Sequence, residues 1–248
     1  MAAAHANSGW DRTPGGAAAG GWRAFLKLTI PSLCWEFLRR NPAYRLHYDN
    51  LALGGFDLDA RWGLSAPADP ELSAEEAQVV WRADVAPGLV VPLEHRSFGS
   101  VRPLPARAGT TIDGADGRHL RLASGLQLHL RGSAAADGPL VIVLSYDEDF
   151  NLRVRAVDAL RRAGQTDEPP RSRFTAEQRS RLARSLFALD GSLRAQSYRD
   201  IAAGLFGDEN LETDAFKTSS IRDVTIRLVR RGRSLMAGGY LKLLKAGF

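Results

Sequence analysis

Ser197-Tyr198-Arg199-Asp200-Ile201-Ala202-Ala203-Gly204-Leu205-Phe206-Gly207 and, shortly after, Lys217-Thr218-Ser219-Ser220-Ile221-Arg222-Asp223-Val224-Thr225-Ile226-Arg227-Leu228-Val229-Arg230-Arg231-Gly232 read as two successive helices. In the first, Tyr198, Ile201, Ala202 and Leu205 recur along one helical face, leaving Arg199, Asp200 and Ala203 outward. Ser197 is placed to accept from the Asp200 backbone N–H, and the Asp200 carboxylate to answer back, a capping box that starts the helix. Gly207 supplies the backbone freedom that ends it. The second segment sets Ile221, Val224, Thr225, Leu228 and Val229 along one stripe and points Ser219, Asp223, Ile226, Arg227 and Arg230 away. A buttressing helix followed by one with an arginine-bearing outer face is the layout of a DNA-binding helix-turn-helix, whose second helix lies in the major groove.

The outward residues suit that role chemically. Lys217, Thr218, Ser219 and Ser220 at the start of the second helix can clamp phosphate together with the free backbone amides there. Asp223, Arg227 and Arg230 face bases, since arginine bridges the O6 and N7 of guanine and aspartate accepts from cytosine. Arg222, Arg231 and Arg233 are assigned to the DNA backbone. From Lys217 onward, Asp223 is the lone acid against Lys217, Arg222, Arg227, Arg230, Arg231, Arg233, Lys242 and Lys245, the electrostatic footprint of phosphate binding. The bland alternative is a solvated helix whose charges serve solubility. The connection from Gly207 to Lys217 is longer than the minimal three- or four-residue turn, so an elaborated variant is implied.

The whole chain has 248 residues, 44% of them hydrophobic, enough for a sizeable core. A net charge of +5 and an isoelectric point near 9.7 fit an acidic polymer partner. The lone Cys34 excludes a disulfide framework and a multi-cysteine zinc site, which points to the cytoplasm. Neither a membrane span nor a signal peptide is expected.

Residues 1–28, with Gly15-Gly16 and Gly20-Gly21 around an alanine run, read as a flexible leader, although Trp22 and Phe25 are apolar enough to dock. Ser32 to Asp49 reads as a helix broken before Pro42 and resumed, with Arg39-Arg40 either touching nucleic acid or forming a solvated helix end. A short helix is expected around Ser73 to Trp81, and extended pieces around Leu89-Val90-Val91 and Val101 to Leu104. Leu120 to Leu122 and Leu126 to Leu130 alternate and form a hairpin with one solvated face. Leu140 to Leu144 reads as a fully buried strand leading into a helix from Asp149 to Ala163. After a breaker at Asp167 to Pro170, Thr175-Ala176-Glu177-Gln178 is a capping box, and Leu182, Leu186, Leu189 and Leu193 continue its helix with Arg179, Arg181 and Arg184 outward. The fold class is therefore α+β: a small mixed α/β N-terminal part, a β-hairpin and strand, and a helical, helix-turn-helix-like C-terminal unit at about residues 197–231.

Catalytic signatures are missing. His5, His47, His95, His119 and His129 are scattered, with no helical metal-site spacing, and read as surface or lightly buried imidazoles. There is no phosphate-binding loop, dinucleotide fingerprint or nucleophile elbow. Asp147-Glu148-Asp149 is the best decoy: acids after a strand can bind Mg²⁺, as in a metal-dependent nuclease, but more often cap the next helix. No enzyme, cofactor or metal is expected.

The stretches Ser197 to Ala202, Leu205 to Gly207, Lys217 to Ser219, Ile221 to Asp223, Thr225 to Val229 and Met236-Ala237-Gly238-Gly239-Tyr240 together resemble the type VI secretion transcription factor (RovC-like) DNA-binding domain family. That family is related to activators and antiactivators of integrative-element excision. Trp35-Glu36-Phe37-Leu38-Arg39-Arg40-Asn41-Pro42-Ala43-Tyr44-Arg45 resembles the transcriptional-regulator-like domain that precedes it. The resemblance implies domains at 29–115 and 116–248 and a cytoplasmic, homo-oligomeric transcriptional activator that binds promoter DNA, in contact with RNA polymerase or a regulatory protein. The rival within the family is an antiactivator or scaffold that captures another regulator through Ile226 and its neighbours.

Overall fold

The structure is a computed structural model that describes residues 20–54, 57–96, 99, 108–114, 116–132, 139–163, 172–208 and 220–246. Its helices are α1 Ile30–Leu38, α2 Pro42–Ala52, α3 Phe150–Ala163, α4 Ala176–Leu193, α5 Tyr198–Phe206, α6 Ser220–Ser234 and α7 Tyr240–Ala246. Its strands are β1 Val90–His95, β2 Ala108–Gly114, β3 Gly117–Leu122, β4 Gln127–Arg131 and β5 Leu140–Ile142. The fold is thus mixed α and β, as the sequence implies. Two compact units divide the chain: one draws on residues up to Asp49, Asp69–Ala77 and Phe174–Tyr240, the other on Asn50–Ala68, Gln78–Arg173 and the last residues from Leu241.

The second unit is a five-stranded sheet in the order β2-β3-β4-β1-β5. β1 runs parallel to β4, while β2–β3, β3–β4 and β1–β5 are antiparallel. Val91, Leu93, Leu120, Leu122, Leu126, Leu128 and Leu130 form its core with Ala156 of α3, and Val157 and Leu160 pack against them. The hairpin is where alternation predicts it, but its second face is not solvated: His119, Gln127 and His129 are buried. Gln127 is there for its hydrogen bonds, donating to Val79 O (2.9 Å) and accepting from Trp81 N (2.9 Å). Burial, more than any neighbouring charge, lowers His129 from the ordinary imidazole value.

Two further expectations change. Leu140–Ile142 is an edge strand paired with β1, half-buried, with Ile142 exposed, rather than a buried central strand. Ser73 to Trp81 forms turns, not a helix. Glu76 folds back onto the Ser73 N–H and hydroxyl (3.0 and 2.7 Å), closing one turn, and Trp81 then leaves it to bridge Leu64. Val101 to Leu104 and Asp167 to Pro170 lie outside the described residues.

In the first unit, the described residues begin at Gly20. A 3₁₀ helix, Gly21–Lys27, buries Trp22 and Phe25. Gly20 N donates to Gly204 O (2.9 Å), Trp22 Nε1 to Leu205 O (3.3 Å), and Arg179 to Leu26 O and Leu28 O. Residues Gly21–Lys27, expected within the flexible leader, are thus helical and packed. Thr29 caps α1, which is almost wholly buried, and Pro42 opens α2, where Tyr44 meets Trp35 edge-on at 5.8 Å.

Thr175/Gln178 and Ser197/Asp200 both form the expected capping boxes, on α4 and α5. Replacing Ser197 by alanine removes an acceptor for the Asp200 N–H (3.2 Å) and is expected to lower stability by about 1 kcal/mol in urea titration. Tyr198, expected on the buried face of α5, is instead exposed. As the first residue of the helix it precedes the packed turns.

Candidate nucleic-acid interface

α4, α5 and α6 build the site. Leu182, Leu186 and Leu189 of α4 are fully buried beneath it. α5 meets α6 where Ala202 is enclosed by Ala203, Phe206 and Ile221. α6 crosses α4 at Gly232, where a Cβ would stand 2.5 Å from Ser185 O and 2.9 Å from Leu189 Cβ, so only glycine permits this approach. The polar residues in the crossing turn back onto their own helices: Ser185 Oγ donates to Arg181 O and Thr225 Oγ1 to Ile221 O, each 2.8 Å. α6 therefore continues through Gly232 to Ser234, then passes through a π-helical segment, Leu235–Gly239, into α7.

α6 is amphipathic in the sense expected. Thr225, Leu228, Val229 and Gly232 are buried, and Ile221 and Val224 are half-buried. Asp223, Arg227 and Arg230 stand exposed together at i, i+4 and i+7 on the opposite side. Neither Arg227 nor Arg230 has a carboxylate partner among the described residues. Ile226, expected to point fully outward, is half-buried. Ser220 is exposed at the first turn, whereas Lys217, Thr218 and Ser219 lie outside the described residues.

The remaining arginines separate to the two flanks of α6. Arg222 is half-buried. Arg233 is exposed and donates to Ser192 Oγ (2.8 Å) near the end of α4. Arg231 lies beside Arg181 near the start of α4, and burial, followed by the Arg181 charge, lowers its guanidinium from the ordinary arginine value. Its Nε is buried without a partner, as is that of Arg184. Arg184 sits over the Trp22 ring at 4.5 Å and Arg23 over the same ring at 5.0 Å, cation–π contacts that fix the guanidinium planes without neutralising them.

Among the described residues no carboxylate pairs with Arg181, Arg184 or Arg231. Guanidinium groups held together without counter-charge can take an anion such as a phosphate through charge-assisted, forked hydrogen bonds. The placement of Arg181 beside Arg231 was hidden in sequence. Helical spacing places Arg181 on an outer face of α4 but cannot show that α6, some fifty residues later, brings Arg231 alongside.

Two other sequence candidates resolve differently. Arg39 and Arg40 are neither solvated nor available to nucleic acid: both are buried among Glu36 and Asp190. Asp147 pairs with Arg153 (2.9 Å), whose other arm reaches Ala83 O (3.1 Å), and Glu148 and Asp149 both hold Lys245 (2.8 Å each). The acids after β5 thus have structural partners.

Residues 143–245 match the family model described as the T6SS (type VI secretion system) transcription factor, DNA binding domain. Residues 19–67 match a proteobacterial transcriptional regulator-like domain. Both are families of transcriptional regulators rather than of enzymes, and the order of the two matches is the one the sequence motifs suggest. No curated protein matches the chain. Among the described residues no helix is long and apolar enough to cross a membrane.

Proposed function

We propose that this chain is a transcriptional activator that reads promoter DNA with α5 and α6 arranged as a helix-turn-helix, and that it does so as a homo-oligomer in the cytoplasm, in contact with the transcription machinery. The observation that carries the reading is the exposed pair Arg227 and Arg230 of α6, which have no carboxylate partner among the described residues and lie within the stretch that matches a transcription-factor DNA-binding domain. Asp223, Arg227 and Arg230 face bases, Ser220 with Lys217, Thr218 and Ser219 takes phosphate at the helix start, and Arg222, Arg231 and Arg233 take flanking phosphates. Arg181 and Arg184 extend the phosphate track from α4. The type VI secretion name of the matched family makes secretion-gene promoters the first targets to try.

The division of roles is testable by substitution. Arg227→Ala is expected to relax preference at one base position, losing about 1–3 kcal/mol of discrimination, while Arg233→Ala weakens all duplexes similarly. Competition binding against a set of singly substituted operators reads both effects, and identical behaviour of the two variants contradicts the assignment. Capture of another regulator through Ile226 is less favoured, because that side chain is already half-buried within this chain. If the oligomer is a two-fold dimer, protected half-sites should lie about 34–36 Å apart or a multiple of that.

A further inference from the structure

We propose that Asp116, His119 and His129 form a binding site for a divalent cation of the zinc class at the β2–β3 turn. The sheet brings together residues that sequence spacing leaves apart: His119 on β3 and His129 on β4 are register partners across an antiparallel pair. Their rings stack at 4.3 Å with planes 15° apart, and both are buried. Asp116, in the turn before β3, meets both. Its Oδ1 lies 2.9 Å from His119 Nε2 and its Oδ2 3.4 Å from His129 Nε2, while its backbone oxygen is 3.0 Å from the same His129 nitrogen. One ligating atom from each of the three residues falls within 4.8 Å of the others.

These separations are close to those a tetrahedral site needs. With zinc–nitrogen and zinc–oxygen bonds near 2.0–2.2 Å, neighbouring ligand atoms stand roughly 3.4 Å apart, so small ring and carboxylate rotations suffice. Two imidazole nitrogens with one carboxylate suit zinc better than magnesium or calcium. Gly114 keeps the space beside them clear: a Cβ there would stand 3.1 Å from Asp116 Oδ1, 3.2 Å from His119 Nε2 and 2.9 Å from Ser65 O. The Asp116 side chain is 45% exposed, which leaves a route from solvent and a fourth position for water.

Without a cation the arrangement is under-satisfied. Two buried rings share one carboxylate, and His119 Nδ1 is buried with no partner. His119 Nε2 faces the Asp116 carboxylate at 2.9 Å, and a cation takes its place between the two. Of the nearby cations, Arg82 is engaged by Asp84 at 2.9 and 3.0 Å, and Arg131 lies 3.6 Å from Glu94.

The test is calorimetric titration of zinc chloride into the chelator-stripped full chain, with cobalt(II) absorption as a second probe. Wild type is expected to bind one equivalent, with tetrahedral cobalt bands, and to melt at a higher temperature in zinc. Asp116→Asn and His129→Gln are each expected to weaken binding by at least about tenfold, since loss of an outer partner alone reaches that size. Asp116→Asn is nearly isosteric and partly exposed, so equal melting temperatures of it and wild type in chelator show that the fold is kept. No one-equivalent isotherm in wild type, or binding by both variants equal to wild type, overturns the proposal.

Discussion

Asp190→Ala is expected to destabilise the protein by about 3–5 kcal/mol, because it strands a buried positive charge. Arg40 and Asp190 have side chains 0% and 1% exposed, and Arg40 reaches both Asp190 and Glu36. Burial alone would lower the Arg40 guanidinium, but Asp190 and Glu36 more than reverse this and raise it. Burial likewise pushes Glu36 up, and Arg40 with Arg39 outweighs it and holds the carboxyl below its ordinary value. The network continues outward: Arg39 donates to Glu36, to Pro70 O and to Glu71 O, and Ala74 N donates to Glu36. Two arginines balance two carboxylates, and the arrangement ties α1, the segment Asp69–Ala77 and α4 together. Urea unfolding measures the effect. A loss below about 1 kcal/mol, the range of exposed pairs, contradicts this account of the pair. Replacing Arg40 and Asp190 together by methionine and leucine should recover much of the loss, because no charge is then left unpaired.

Arg227→Glu combined with Arg230→Glu should abolish specific DNA binding, with affinity falling on the order of 100-fold or more, since each arginine contact is worth about 1–3 kcal/mol and each reversal adds repulsion from phosphate. Both side chains are exposed and unpaired among the described residues, so folding should be untouched. Fluorescence anisotropy with a promoter duplex, beside a urea melt of the same sample, reads the two quantities separately. Unchanged DNA affinity in a folded double variant removes α6 from the interface.

The parts of this molecule set by local chemistry were legible in its sequence. The capping boxes at Thr175 and Ser197, the break before Pro42 and the buried stripe Thr225, Leu228 and Val229 follow from hydrogen-bonding capacity and helical period. What depends on distant partners was not. Arg39 and Arg40 look like a solvated helix end until Asp190, 150 residues later, is seen against them. Leu140–Ile142 is apolar enough for a central strand, and only the sheet order makes it an edge. His119 and His129 have no helical spacing, and become neighbours only through strand register. At the candidate interface, the exposed stripe of α6 was readable from period alone, whereas the position of Arg181 beside Arg231 depends on how α4 crosses α6 at Gly232.

α6 is proposed as the DNA-reading element of a sequence-specific regulator. The most direct test of that role is binding of the purified protein to fragments of its own upstream region and to random duplex, each across a salt titration. Tighter binding to one fragment is expected, with affinity on every duplex falling as salt rises because phosphate contacts release counterions. Equal affinity for promoter and random duplex at every salt concentration, or no binding to either, contradicts it.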